Sequence, residues 1–383
     1  MKEYKNIIST SIPPFFGENY IFFDIETTGL HPKSSMLYLI GLLYFDGKVL
    51  RKIQIFNEDG ETEKEVIECF LSYLKENTTL IHYNGTTFDL PYIKTRCEFL
   101  GIAKEILDSI SQCDCYTFLR PLKKVFHLDN GKQQTLERLI GFTRSDQLSG
   151  KQLIEQYFLY LKLKKESYLD QLLLHNSNDL EGLAHLSFLL TLSSNIHTMS
   201  EHQFTYHCSQ DSNNQPYIEY ELPLPYAVPF SLHVEKNFSF FLPKNQGQNH
   251  KMEDATSCTI SLFIQEETIH IRCPLLHSEL KFFYPNYKDY YYLPFEDMAI
   301  HKSVASFVDK EHRQKAKKET CYIKKTGTFI PLFEPISGNL FYKEYGDKRS
   351  FLCLDSTYSE SIQKEWVLQV FRFFSLPEFP HSF

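Results

Sequence analysis

Between residues 20 and 56 the apolar positions fall in three dense runs, 20–25, 36–45 and 49–56, spaced as a three-strand meander with Asp46-Gly47 as a hairpin turn. The period then becomes helical. Val66, Ile67, Phe70, Leu71 and Leu74 recur at helical spacing behind Thr62 and Glu65, which fit a capping box. A further strand, Thr79 to Tyr83, runs into an Asn84-Gly85 turn, and a helix of about ten residues follows from Asp89 with Leu90, Ile93, Cys97 and Leu100 apolar. Pro91 is tolerated there because its missing amide hydrogen would be unpaired in the first turn. The stretch 112–165 reads as one short strand and several helices, one capped by Thr135 ahead of Leu136. From roughly 166 to 195 a long helix carries Leu169, Leu172, Leu173, Asn176, Leu180, Leu183 and Leu186 along its buried side.

Beyond residue 200 the pattern changes to short alternating runs. Ser209 to Gln215 is polar and reads as a linker or exposed loop. Tyr217–Leu222, Ser231–Leu242, Cys258–Ile264 and Thr268–Cys273 read as strands, with turns at Asn245 to Asn249 and at Glu266-Glu267. One helix is expected over about 297–318, with Ile300, Val304, Phe307 and Val308 as its apolar stripe. The expectation is a β-rich α+β domain.

The candidate chemistry sits where the first strand ends. Tyr20-Ile21-Phe22-Phe23 reads as buried strand, so the period of two puts Asp24 and Glu26 on one face. Two carboxylates held side by side repel unless cations neutralise them, and an oxygen-rich site suits Mg²⁺ or Mn²⁺. Thr27, Thr28 and Gly29 then turn the chain away, which presents the acidic pair to solvent. On the long helix, His175 and Asp179 are four apart and share a face, which on an isolated helix reads first as an ordinary solvent-facing pair.

Four segments taken in order carry a family resemblance: Asp-Ile-Glu-Thr-Thr-Gly-Leu (24–30), His-Tyr-Asn-Gly-Thr-Thr-Phe-Asp-Leu-Pro (82–91), Arg-Ser-Asp-Gln-Leu-Ser-Gly (144–150) and His-Asn-Ser-Asn-Asp (175–179). Together they resemble the DEDD exonuclease superfamily, and within it the YprB-type ribonuclease H-like family. The resemblance runs from Asp24 to about Leu186. It implies an α/β ribonuclease H-like domain over 15–200, a mixed five-stranded sheet flanked by helices, followed by the β-rich domain over 215–383. It also implies a two-metal-ion 3′-to-5′ exonuclease holding Mg²⁺ or Mn²⁺ through Asp24, Glu26, Asp89 and Asp179, with single-stranded DNA or RNA as partner. His175 is then the candidate general base, or else a residue that orients the site; its spacing from Asp179 is that of the tyrosine-bearing DEDD subgroup. Thr28 and Asn84 would touch substrate or brace the site, and Phe88 would pack. A structure-specific endonuclease and a catalytically inactive nucleic-acid-binding or scaffold protein are the alternatives.

Composition adjusts this picture in three places. A chain of 383 residues with 42% hydrophobic positions has material for two cores. The N-terminus lacks the apolar stretch of a signal peptide, no run is long enough to span a bilayer, and nine scattered cysteines without a Cys-x-x-Cys pair read as buried free thiols; the expected location is cytoplasmic. The net charge of −8 means that local basic patches must supply any phosphate contacts. Lys315, Lys317 and Lys318, on the expected helix over 297–318, are the candidate substrate-holding patch. Tyr284, Tyr287, Tyr290, Tyr291 and Tyr292 could stack bases but more readily serve packing.

Overall fold

The computed structural model describes residues 1–146, 148–199, 203–240, 257–355 and 358–376. Two compact units share the chain: one built on Met1–His197 with Pro225–Leu232, the other on Thr198–Leu224 and His233–Phe374.

The first unit is laid out as β1 (Lys2–Ile7), β2 (Tyr20–Thr27), β3 (Leu37–Phe45), β4 (Leu50–Phe56), α1 (Glu63–Ser72), β5 (Thr79–His82), α2 (Asp89–Leu100), α3 (Glu105–Ser109), β6 (Ser111–Asp114), α4 (Cys115–Leu119), α5 (Leu122–Val125), α6 (Gln133–Leu139), α7 (Gly150–Leu163) and α8 (Glu166–Thr198). Its mixed sheet has six strands in the order β1-β4-β3-β2-β5-β6, not five. The additional one is β1, which pairs antiparallel with β4 from Lys2 opposite Phe56 to Ile7 opposite Arg51. It is an edge strand rich in charged and exposed side chains, so it leaves no apolar run in the sequence. The β2–β5 and β5–β6 pairs are parallel and the others antiparallel.

Each face of the sheet buries its own core. On one, Phe23, Ile25, Leu42 and Ile55 meet Val66, Ile67 and Phe70 of α1 and Leu90 and Ile93 of α2. On the other, Tyr38, Leu39 and Phe56 meet Leu153 and Tyr157 of α7 and Leu169 and Leu172 of α8. Tyr38 and Leu39 face the same way because the ladder slips there: Glu26 opposes Leu39 while Thr27 opposes Leu37, leaving Tyr38 as the extra residue of a bulge. Tyr38 then stacks on Tyr157 at 4.3 Å between centroids.

Two caps differ from expectation. Thr62 precedes α1, but its hydroxyl is taken by Asp59 (2.8 Å) and Asn57 (3.1 Å), so no capping box forms with Glu65. Thr135 lies inside α6, and its hydroxyl donates to Asn130 at 2.8 Å instead of capping.

The second unit is β-rich: β7 (Thr205–Gln210), β8 (Pro216–Ser239), β9 (Ser257–Pro274), β10 (Leu276–Phe283), β11 (Tyr290–Leu293), β12 (Met298–His301), α9 (Lys302–Ala305), β13 (Gln314–Lys315), β14 (Tyr322–Pro331), β15 (Phe341–Tyr342), β16 (Phe351–Cys353) and α10 (Glu360–Phe373). Strands β10, β14, β16 and β15 close a small barrel, and β7-β8-β9 and β12-β11-β13 form three-stranded sheets. Ser209 to Gln215 closes the β7–β8 hairpin, so it is a loop within one sheet and not a linker between domains. Glu266 takes φ +51° inside β9, while the expected turn at Asn245 to Asn249 and the end of the strand read to Leu242 lie outside the described residues.

The helix expected over 297–318 does not exist. Asp297, at φ +51°, turns a hairpin in which Ile300 opposes Tyr291, and the four-residue α9 and a 3₁₀ turn at Lys310–His312 follow. Of the supposed apolar stripe, Val304 is 56% and Phe307 91% exposed, so no core rewards a helical path there. The long helix of this unit is α10, with Trp366, Val367, Val370 and Phe371 buried. The tyrosine cluster serves packing: Tyr284, Tyr287, Tyr290 and Tyr292 lie against Ala299, Ala316 and Cys321. All nine cysteines are free; seven are buried, Cys69 is half-buried, and Cys208 on β7 is exposed, against the reading of uniformly buried thiols.

Candidate active site

Strand β2 brings Asp24 and Glu26 to the face that α8 covers, opposite Gly41 and Leu39 of β3. Gly41 in turn opposes Gln54 of β4, so Asp24, Gly41 and Gln54 form a row across three strands. Asn176 of α8 lies on that row. Its Nδ2 donates to Oδ2 of Asp24 (2.9 Å), and its Oδ1 accepts from Nε2 of Gln54 (3.0 Å). A Cβ at position 41 would stand 2.2 Å from the Asn176 Oδ1, so only glycine lets the helix settle this close to the strand. Gly41→Ala is therefore expected to cost about 1–3 kcal/mol by overpacking, read as a lowered melting temperature, and to dislodge Asp24 with it.

The other two carboxylates arrive from helices. Asp89 is the first residue of α2, where the positive end of the helix and the amide of Ile25 favour its charge. Asn84, at φ +66°, sits in the turn before it; Asp114 at the end of β6 holds that turn by accepting from the amides of Asn84 (2.8 Å) and Thr86 (3.3 Å). Asp179 comes from α8, with Oδ2 3.2 Å from Nε2 of His175. A cleft of about 560 Å³ is lined by Asp24, Glu26, Asp89 and Asp179 together with Tyr83, Asn84, Phe88, Tyr116, Lys132 and Gln133.

Burial and like charges shift the titration of Asp24, Glu26 and Asp89. Burial first, then Asp179, Glu26 and Asp89, holds Asp24 well above the usual carboxyl range. Burial pushes Glu26 up to about 7, against the opposing charge of His175. Burial likewise pushes Asp89 up to about 7, against backbone hydrogen bonds that favour its ionised form. For His175 burial lowers basicity, but the charges of Glu26 and Asp179 and the bond to Asp146 outweigh it and raise the pKa. His175 is buried, its Nε2 facing Asp179 and Glu26 (3.7 Å) and its Nδ1 2.5 Å from Asp146; it is no surface partner of Asp179.

This donor set suits a divalent cation. Glu26, His175 and Asp179 offer ligand atoms that all lie within 4.8 Å of one another, and Asp24 and Asp89 line the same cleft. Carboxylates that hold each other's protons on are those a cation relieves, and oxygen-dominated donors favour Mg²⁺ or Mn²⁺.

The remaining sequence candidates divide. Asn84 and Phe88 line the cleft. Thr28 braces the β2–β3 turn, its hydroxyl accepting from the amide of Met36 at 3.0 Å, and is not among the lining residues. Lys315, Lys317 and Lys318 are exposed in the second unit, Lys315 on β13 and the other two in the turn after it, not on a helix. Residues not singled out from sequence are Asn176, placed only on a buried helix side, and Arg144 and Asp146, quoted within a motif but given no role. The sequence signal for Asn176 was a polar residue in an apolar stripe.

The RNase_H_2 family, described as RNase_H superfamily, matches residues 21–191. The protein YprB of Bacillus subtilis (strain 168) is 28% identical over 193 residues, covering 49% of this chain and 46% of YprB. A DNA polymerase of Thermococcus hydrothermalis is 54% identical over 55 residues, 14% of this chain and 3% of that protein. Among solved structures, E. coli Exonuclease I in complex with a dT13 oligonucleotide aligns with 11% identity and a TM-score of 0.34, over 56% of this chain and 54% of that one. The segment 21–191 belongs to the ribonuclease H superfamily. Over about half of its length the chain is similar to YprB, of whose length it spans about half.

Proposed function

We propose that this chain is a metal-dependent nuclease that hydrolyses phosphodiester bonds, working from 3′ to 5′ on single-stranded DNA or RNA ends by a two-metal route. The observation that carries the reading is the meeting of four carboxylates from β2, α2 and α8 on one cleft. Divalent ions bound there would stabilise charge on the phosphate and supply a water-derived nucleophile at neutral pH. Asp24, Glu26, Asp89 and Asp179 would hold them. Asn176 keeps Oδ2 of Asp24 in place, and His175 accepts a proton at Nε2, the nitrogen turned toward Asp179 and Glu26. Tyr83, Phe88 and Tyr116 give the cleft ring surfaces, and Asn84, Lys132 and Gln133 give it polar groups, a combination suited to an unpaired nucleotide.

A panel of 5′-labelled, 3′-labelled and circular DNA and RNA oligonucleotides with Mn²⁺ or Mg²⁺ tests this reading. The expected result is a shortening ladder from the 5′ label, immediate release of the 3′ label as mononucleotide, an intact circle, and no cleavage in EDTA. Cutting of the circle would make the protein an endonuclease, and no cleavage with either ion would leave it a binding protein.

Substrate holding by the second unit belongs to the same proposal. Reversing the charge at Lys315, Lys317 and Lys318 is expected to weaken single-strand binding and flatten its log–log salt dependence by about two units, at roughly 0.7 per lost phosphate contact. Turnover at saturating substrate should hardly change. Binding curves that overlay the wild type across a salt titration would remove this surface from the proposal.

A further inference from the structure

The segment Arg144-Ser145-Asp146, between α6 and α7, takes no part in the steps above, yet all three side chains turn onto α8. Arg144 donates to Oδ1 of Asp179 at 2.7 Å and grips Glu137 through two further bonds of 2.5 and 2.8 Å. Ser145 and Asn178 exchange contacts at 3.4 Å, and Asp146 accepts from Nδ2 of Asn178 while lying 2.5 Å from Nδ1 of His175. Three neighbouring loop residues therefore hold His175, Asn178 and Asp179, about thirty positions away, within one turn of helix.

The anchor of this arrangement is built in. Glu137 of α6 is 1% exposed, and a Cβ on Gly182 of α8 would stand 1.9 Å from its Oε1. Gln133, one turn before Glu137, donates both to Glu137 Oε1 (2.8 Å) and to the backbone carbonyl of Asp179 (2.7 Å). The guanidinium is thus fixed in plane by a buried carboxylate: Nε and one Nη2 hydrogen go to Glu137, which aims the second Nη2 hydrogen at Asp179.

We propose that residues 144–146 are a positioning clamp for the nuclease site: Arg144 sets the carboxylate plane of Asp179, and Asp146 sets the ring of His175. The clamp rests on the nuclease reading given above. Arg144 occupies Oδ1 of Asp179 and leaves Oδ2 facing His175 Nε2 at 3.2 Å. Asp146 takes Nδ1 and so commits Nε2 to face Glu26 and Asp179. Both are positioning residues that act through α8, with the cleft lined by others.

Arg144→Lys, Asp146→Ala and Asp146→Asn in the full chain test the clamp by three readouts: calorimetric Mn²⁺ binding, the ¹⁵N spectrum of the His175 ring in metal-free protein, and steady-state cleavage. Arg144→Lys keeps the charge but loses the fork, and is expected to weaken Mn²⁺ binding by about 10–100-fold. Asp146→Ala is expected to change the His175 ring spectrum and to lower kcat by about 10–100-fold with KM little altered. Asp146→Asn, whose one amide oxygen can still accept from Nδ1–H but no longer also from Asn178, should restore the His175 tautomer and part of the lost kcat. Wild-type melting temperatures in Arg144→Lys and Asp146→Asn separate positioning from folding. If the wild type binds Mn²⁺ and cleaves, but Arg144→Lys binds within about threefold of it and Asp146→Ala leaves the ring spectrum unchanged, the clamp is wrong. A wild type that neither binds Mn²⁺ nor cleaves overturns the nuclease reading itself, a distinguishable result.

Discussion

Asp24→Asn is expected to lower cleavage by more than about 10³-fold, beyond the 10–100-fold typical of residues that only support a metal ligand. The same substitution should raise the melting temperature of the metal-free protein at neutral pH. Both effects have one origin. Asp24 is held well above the usual carboxyl range by burial and by Asp179, Glu26 and Asp89, so its proton is bound more tightly in the folded than in the unfolded chain. A carboxyl shifted upward makes the fold lose stability as pH rises from its unfolded value, about 4, through its folded one. Glu26 and Asp89, each pushed to about 7, act in the same sense over the window from about pH 4 to 7. The metal-free wild type should therefore melt at progressively lower temperature between these values, the Asn variant should decline less, and added Mn²⁺ should restore the wild type alone. The Asn side chain is nearly isosteric and its Oδ1 can still accept from Asn176, so no cavity opens. Wild-type cleavage by the variant, or a lowered melting temperature, would refute the assignment of Asp24.

His175→Ala is expected to reduce kcat by about 10²–10⁴-fold, the range for a general base. In the metal-free protein the imidazole is flanked by Glu26, Asp179 and Asp146, which raise its pKa and favour the protonated form. The stability from that ion pairing is complete below the unfolded value of about 6.5 and is lost as pH rises through the raised folded one. Once Glu26 and Asp179 are engaged by cations, two of the three charges that raise the pKa are countered and the neutral ring becomes accessible near pH 7. The wild-type pH–rate profile should then have an acid limb that the Ala variant lacks. A loss of only a few-fold, with the limb intact, would leave His175 an orienting residue.

The contrast between the two units shows where sequence reading works. In the first, β2 to β4, α1, α2 and α8 were legible because each buries a dense apolar face, and the core carried the pattern that the period revealed. The edge strand β1 was not, since exposed strands need no apolar alternation. In the second unit, Ile300, Val304, Phe307 and Val308 have helical spacing, but pairing of β12 with β11 claims Ile300 and leaves Phe307 in solvent. Spacing alone carries no information about which partner pays for burial.

Strand period put Asp24 and Glu26 on one face, whereas Asp89, Asp179, His175 and Asn84 were named through the resemblance carried by the four ordered motifs. Local pattern could not reveal what holds them. Asn176 meets Asp24 only because Gly41 and Gln54 line up across three strands, and Arg144 and Asp146 reach Asp179 and His175 only because α6 seats Glu137 against Gly182. Those contacts join residues from about 30 to over 150 positions apart, so chain packing, with no periodicity behind it, decides them.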